Sequence, residues 1–133
     1  MVDRINANRA VAACYSYGAT GSTMGYNVSA LTSCTLGDAS QQAIANADLT
    51  AWNNLLQGAA EQIGSAKVGA MVGARGCVQQ ISAADQTYRI TVAWQGLSET
   101  VTATENNTCG KDLYGDEKLR RIVSAIIRIG DLS

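Results

Sequence analysis

Four cysteines carry the most definite chemistry in this 133-residue chain: Cys14, Cys34, Cys77 and Cys109. No two of them lie close in sequence and the chain contains no histidine, so a zinc site is disfavoured. The spacing instead favours two disulfide bonds formed in an oxidising compartment. Of the three possible pairings we favour Cys14–Cys34 with Cys77–Cys109, because a nested or crossed pairing would tie the N-terminal helix to the later strands.

General acid–base and nucleophilic catalysis lack their usual partners here. Without histidine, Ser–His and Cys–His pairs are excluded. The carboxylates of Asp112, Asp116 and Glu117 are near one another in sequence, but an acidic helix start or turn accounts for them. The glycine-rich Gly69–Gly76 lacks the Lys-Ser/Thr of a phosphate-binding loop, and we interpret it as a flexible connection. We therefore expect a protein that is not an enzyme and holds no metal ion or cofactor.

The charged residues nearly balance, with 10 basic and 11 acidic side chains, so the average composition shows no basic nucleic-acid footprint. Arg4 and Arg9 either contact an anionic partner or neighbouring subunit, or form a solvated helix face. Arg120, Arg121 and Arg128 would form, at most, a small basic edge. No segment of the sequence approaches the ~20 apolar residues that span a bilayer.

Three tyrosines cluster in a long predicted loop that runs from Tyr15 to Gly37. Tyr15, Tyr17 and Tyr26 would supply contact area at low entropic cost, so this stretch is a possible ligand-binding loop. The alternative is that they pack the loop against a Cys14–Cys34 bond.

Helical patterns fill the remainder of the first half. Residues 2–13 read as an amphipathic helix with no capping residue before it, which suggests the end of a helix that begins earlier in a longer protein. Apolar residues at three- and four-residue steps predict a second helix over 39–63. Asp48 would cap a second piece if this helix breaks near Asn46, and Gly64 would end it.

The period changes to two in the region 68–133, which we predict to be a sheet. Cys77–Ser82, Tyr88–Gln95 and the mostly polar Glu99–Thr104 read as strands. The segment Leu119–Ile129 is ambiguous: its apolar spacing slightly favours a helix, while its β-branched content fits a strand. The order predicts one α+β domain, with helices on one face of an antiparallel sheet of three or four strands.

Four motifs, in order, carry a family resemblance. They are VDRINANRAVAACYSYG (Val2 to Gly18), DLTAW (Asp48 to Trp52), YRITVAW (Tyr88 to Trp94), and Cys109-Gly110 followed by LRRIV (Leu119 to Val123). Together they resemble the PilV-type minor pilins of type IV pili along most of the chain, with residues 18–38 and 95–108 as local departures.

The resemblance implies a pilin-like fold in which residues 1–13 end a truncated N-terminal helix and 119–129 form a strand. It implies that the missing hydrophobic half of that helix anchors the protein in the inner membrane, with this domain in the periplasm of a Gram-negative bacterium and later in the extracellular pilus. Arg4, Ile5, Asn8 and Arg9 would then lie at a possible subunit interface.

The implied partners are other minor pilins and the major pilin. The implied function is to initiate or modify pilus assembly, with roles in twitching motility, adhesion or DNA uptake. Two alternatives stay open. One is a module at the pilus tip that binds DNA or a host-surface ligand through the tyrosine loop or the arginines, and the other is a pseudopilin of a type II secretion system.

Overall fold

The computed structural model describes residues 1–60, 72–96, 98–99 and 107–129. In chain order the elements are α1 (Val2–Ala7), a 3-10 turn (Arg9–Val11), α2 (Ala12–Tyr15), β1 (Ser22–Gly25), α3 (Ala39–Ala60), β2 (Val72–Ser82), β3 (Thr87–Gln95), a 3-10 turn (Glu117–Leu119) and β4 (Arg120–Arg128). The four strands form one antiparallel sheet in the order β1-β2-β3-β4, and α3 packs against it. The predicted α+β fold class is confirmed.

The centre of the sheet is the β2–β3 hairpin, whose register pairs Val78 with Ile90 and Cys77 with Thr91. Side chains alternate between the two faces of a strand. Val78 and Ile90 therefore join the main apolar core under α3, while Cys77 belongs to a smaller cluster on the opposite face.

Helix α3 approaches β2 closely because β2 has a glycine at the contact point. A Cβ added to Gly76 would lie 2.4 Å from Trp52 Cη2 and 2.6 Å from Leu56 Cδ1. Trp52 and Leu56 are one turn apart on α3, so they share the face that the helix presents to the sheet. The missing side chain lets the indole lie directly on the strand.

Helix α3 begins with a reciprocal cap that the sequence contains as Asp-x-x-Gln. The Gln41 backbone N–H donates to Asp38 Oδ1 at 2.8 Å, and the Asp38 N–H donates to Gln41 Oε1 at 2.9 Å. The helix then continues through Asp48 without interruption. The predicted break near Asn46, with Asp48 as a cap, is wrong, because Asp48 uses its carboxylate for contacts to the N-terminal segment.

The predicted continuous helix over residues 2–13 is also wrong. The backbone leaves the helical region at Asn8, with φ −127° and ψ 42°, and resumes as a 3-10 turn followed by α2. The Asn8 side chain donates to the Gln41 carbonyl at 3.0 Å. The break lets Ile5 and Val11 both enter the main core, where both are buried.

The predicted loop from Tyr15 to Gly37 contains a strand that its sequence did not indicate. β1 is four residues long, polar at its start and closed by Gly25, and it pairs with β2. The prediction of Gly69–Gly76 as a flexible connection is wrong for residues 72–76, which open β2, while 69–71 lie outside the described residues.

Both predicted disulfide bonds are confirmed. The Cα atoms of Cys14 and Cys34 lie 5.2 Å apart, and those of Cys77 and Cys109 lie 5.9 Å apart. The first bond closes the N-terminal loop, and the second fastens the segment after β3 to the centre of the sheet.

The segment Leu119–Ile129 forms a strand, as the family resemblance implied, and the helix that its apolar spacing slightly favoured is wrong. β4 pairs with β3 along its whole length. Most of the predicted strand Glu99–Thr104, and the predicted helix end at Gly64, lie outside the described residues.

Candidate assembly surface

A buried polar network joins the N-terminal segment to α3, with the Asp48 carboxylate at its centre. Arg4 Nη1 lies 2.8 Å from Asp48 Oδ1, and the Tyr15 hydroxyl donates to Asp48 Oδ2. Asn8 Nδ2 donates to the Tyr15 oxygen at 3.3 Å. Burial raises the pKa of Tyr15 above its ordinary value of 10.0, and the hydrogen bond to Asp48 raises it further. The network therefore holds the N-terminal segment on α3 through a hydroxyl that keeps its proton.

The four residues predicted at a subunit interface divide between surface and core. Arg9 is exposed and Arg4 is partly exposed, whereas Ile5 and Asn8 are buried within this domain. The surface that these residues offer to a neighbour is therefore formed by Arg9 and by the outer part of Arg4. Their role at an interface stays a prediction.

The three tyrosines of the predicted ligand loop do not form one recognition surface. Tyr15 is fully buried. Tyr17 is half-buried, and its hydroxyl accepts a hydrogen bond from the Thr32 N–H at 3.2 Å. Tyr26 is 46% exposed, and its ring lies near the guanidinium of Arg75 on β2. Arg75 was not part of the predicted ligand loop.

A second polar network fixes the segment that follows the Cys77–Cys109 bond. Arg120 is only 2% exposed, and its Nη1 donates to the carbonyls of Asn107 and Cys109 at 2.8 and 2.9 Å. Its Nε lies 2.9 Å from Glu117 Oε2. Burial opposes ionisation of Glu117, but the Asp112 N–H and Arg120 together hold the pKa of Glu117 below its ordinary value. The hydrogen bonds from Nη1 thus hold the disulfide-bonded segment at the start of β4, and the ion pair with Glu117 fixes the Arg120 side chain.

The small basic edge predicted from three arginines is not formed by all three. Arg120 is buried in the network above. Arg121 donates to the Lys118 carbonyl at 3.0 Å, and Arg128 lies 3.7 Å from Asp85. Arg120 and Arg121 are thus used in contacts within the described structure, whereas the Arg128 side chain is largely exposed.

β4 is the outer strand on one side of the sheet that the described residues form. Val123 and Ile126 are 63% and 64% exposed, and they lie on opposite faces of the strand because three positions separate them. The unpaired edge of an outer strand can pair with another chain, and exposed apolar side chains beside it favour such a contact.

Arg75 occupies an unusual position on the face of β2 that points away from α3. It is 7% exposed, and its guanidinium carbon lies 5.2 Å from the ring centre of Tyr26 and 5.0 Å from that of Tyr114. The Tyr114 hydroxyl donates to the Gly73 carbonyl at 2.7 Å. Burial raises the pKa of Tyr114, although a side-chain hydrogen bond with Arg75 and the Arg75 charge oppose the rise. Its phenol is therefore neutral and can lie against a cation.

The sequence analysis did not identify the central residue of the two polar networks or the buried cation beside Tyr26 and Tyr114. Asp48 was interpreted as a cap, Arg75 lay in a glycine-rich stretch, and Arg120 was counted as a surface charge. One signal was present for Arg75: it lies two residues from Cys77, so in a strand the two share a face, and a disulfide on that face indicates burial.

The described ranges of the chain contain neither a metal-ion site nor a membrane-spanning helix. No group of three or more His, Cys, Asp or Glu residues there is arranged to hold a metal ion. No helix in the same ranges is long and apolar enough to cross a membrane.

Comparisons of the chain with protein-family models, with curated proteins and with solved structures found no match.

Proposed function

We propose that this chain is the globular domain of a PilV-type minor pilin, a subunit that initiates or modifies type IV pilus assembly. It would be held at the inner membrane with this domain in the periplasm, and would then enter the extracellular pilus with other minor pilins and the major pilin. Its work would be done by contacts between subunits and not by a catalysed reaction.

The observation that carries the proposal is that the motifs behind the resemblance contact one another. Arg4 and Tyr15 belong to the first motif, and both bind Asp48, the first residue of the second motif. In the last motif, Arg120 donates to the carbonyl of Cys109. Residues that carry the resemblance but lie far apart in sequence therefore contact one another, which supports the proposal that they belong to one structural unit.

The structure also supplies surfaces for contacts between subunits. β4 presents Val123 and Ile126 to solvent, and Arg9 extends from the N-terminal segment. The two networks around Asp48 and Arg120 hold both regions to the same domain. A neighbouring pilin that covers β4 would bury apolar area now in water, which favours association.

The first test is made in the bacterium that encodes the chain. Pili sheared from the cells should contain this protein, and deletion of its gene should lower the number of surface pili or alter their composition. Restoring the gene should reverse the effect. Unchanged number and composition of pili in the deletion strain, together with absence of the protein from sheared pili, would refute the proposal.

A second test addresses the β4 surface. The double variant Val123→Asp and Ile126→Asp should fold, since both side chains are exposed, but should be lost from sheared pili because a charge on each face opposes burial. Leu36→Asp is the matched control: Leu36 is 46% exposed and lies in the N-terminal loop, far from β4 in sequence. Equal incorporation of both variants would exclude β4 as the contact surface.

A further inference from the structure

Arg75 is a buried cation whose hydrogen-bonding capacity is incompletely used. Its Nη1 is shielded from solvent and has no hydrogen-bond partner in the part of the chain that the structure describes. The ion pairs among the described residues join Arg4 to Asp48, Arg120 to Glu117 and Arg128 to Asp85, and none of them includes Arg75. A guanidinium taken out of water without an acceptor is unfavourable, because its lost hydration is not replaced.

The two tyrosine rings compensate only in part. A ring face attracts the positive charge of a guanidinium that lies over it. The N–H groups of a guanidinium point outward in its plane, however, and the face of an aromatic ring supplies no acceptor there. Arg75 thus has its charge partly stabilised by Tyr26 and Tyr114, while Nη1 lacks an acceptor among the described residues.

The two rings differ in how firmly they are held. Tyr114 is buried, its hydroxyl is fixed to the Gly73 carbonyl, and its ring lies so close to Gly110 that a Cβ there would be 2.7 Å from Tyr114 Cε2. Tyr26 is nearly half exposed, and its hydroxyl makes no hydrogen bond within the described part of the chain. It follows Gly25, which has φ +109°, and precedes Asn27, which has φ +64°. Of the two rings, that of Tyr26 is therefore the one that can move outward to expose the guanidinium.

We propose that Arg75, beside the fixed ring of Tyr114 and the outer ring of Tyr26, is a binding site for a carboxylate group. A carboxylate is planar and accepts hydrogen bonds from a guanidinium fork, and outward movement of the Tyr26 ring would let it reach the shielded Nη1. The single positive charge of Arg75 matches one singly charged acceptor. The group would come either from a small organic acid or from an acidic side chain of a neighbouring protein, and the site does not depend on the pilin assignment.

The test uses the folded chain with ¹⁵N-labelled arginine. Sodium acetate replaces sodium chloride at constant ionic strength while the side-chain N–H signals of Arg75 are followed by NMR. We expect a saturable shift of the Arg75 signals and a rise in melting temperature, with the signals of the exposed Arg128 unchanged. A shift that is linear in acetate, or one that chloride reproduces, would mean an adventitious ion only and would overturn the proposal.

Two variants locate the effect. Arg75→Met removes the cation and keeps an unbranched side chain, and it should abolish the acetate-dependent rise in melting temperature. Tyr26→Ala opens the outer side and should change the acetate midpoint, whereas Tyr17→Ala should not. An acetate response that is the same in wild type, Arg75→Met and Tyr26→Ala would refute the site. Titration with N-acetyl-aspartate amide then separates the two sources of the carboxylate. If the natural ligand is an acidic side chain of a protein, this compound should bind more tightly than acetate. If the natural ligand is a small organic acid, the two compounds should bind equally.

Discussion

Replacing Asp48 with alanine tests whether one carboxylate holds the N-terminal segment to the rest of the domain. The substitution removes the acceptor of the buried Tyr15 hydroxyl and the partner of Arg4. A hydrogen bond to a charged group contributes about 1.5–3 kcal/mol. The Arg4 side chain is partly exposed, so its ion pair adds at most about 1 kcal/mol.

The sum predicts that Asp48→Ala lowers the free energy of unfolding by about 3 kcal/mol. A domain of this size loses roughly 3–4 °C of melting temperature per kcal/mol, so the midpoint should fall by roughly 10 °C. The assay is urea unfolding followed by circular dichroism, together with a thermal melt. Asp85→Ala is the matched control, because it removes a carboxylate from the exposed pair with Arg128 and should leave stability unchanged.

A double-mutant cycle separates the Tyr15 contact from general damage. Asp48→Ala combined with Tyr15→Phe should show a coupling of about 1–2 kcal/mol, since either change alone already breaks the shared bond. If Asp48→Ala behaves like Asp85→Ala, or if the two effects simply add, then Asp48 does not hold the segment and the account of the network is wrong.

Three further outcomes follow from the same contacts. Burial raises the pKa of Tyr15 in the folded state, so above pH ~10 the unfolded chain loses this proton before the folded chain does. The free energy of unfolding should therefore fall above this pH, by up to about 1.4 kcal/mol per pH unit. In urea unfolding at a series of pH values, Tyr15→Phe should show a shallower fall. Replacing both Cys77 and Cys109 with serine should lower the free energy of unfolding by about 3–4 kcal/mol, given the length of the loop that the bond closes. The variant is compared in urea unfolding with the oxidised and the reduced wild type. Arg120→Ala leaves two carbonyls and Glu117 without their partner and should cost about 3 kcal/mol, whereas Arg128→Ala should be neutral in the same melts.

The sequence predicted well those features that depend on local repetition. Large apolar side chains recur at alternate positions from Tyr88 to Trp94, and β3 is found where this period predicted a strand. The apolar steps of α3 likewise predicted a helix that begins at Ala39, although the cap at Asp38 and Gln41 was overlooked. The disulfide pairing could be predicted because each bond joins two cysteines that are consecutive in the sequence and closes a short loop.

Features set by distant contacts could not be read in the same way. β1 is a strand because β2 supplies its hydrogen-bond partners, and four residues carry too little pattern to show this. The helix break at Asn8 depends on the Gln41 carbonyl, 33 positions away. β4 has apolar residues at steps that suit either a helix or a two-sided strand, and pairing with β3 decides between them.

The candidate sites were harder still, because each one uses a charged residue against its usual tendency to lie at the surface. Asp48, Arg75 and Arg120 are all buried, and a sequence shows their charge but not their partner. Asp48 and Arg120 are each matched by an opposite charge and further hydrogen bonds, so burial is consistent with a structural role. Arg75 lies near two aromatic rings and, among the described residues, near no anion, so the proposed carboxylate ligand concerns Arg75 and not the other two.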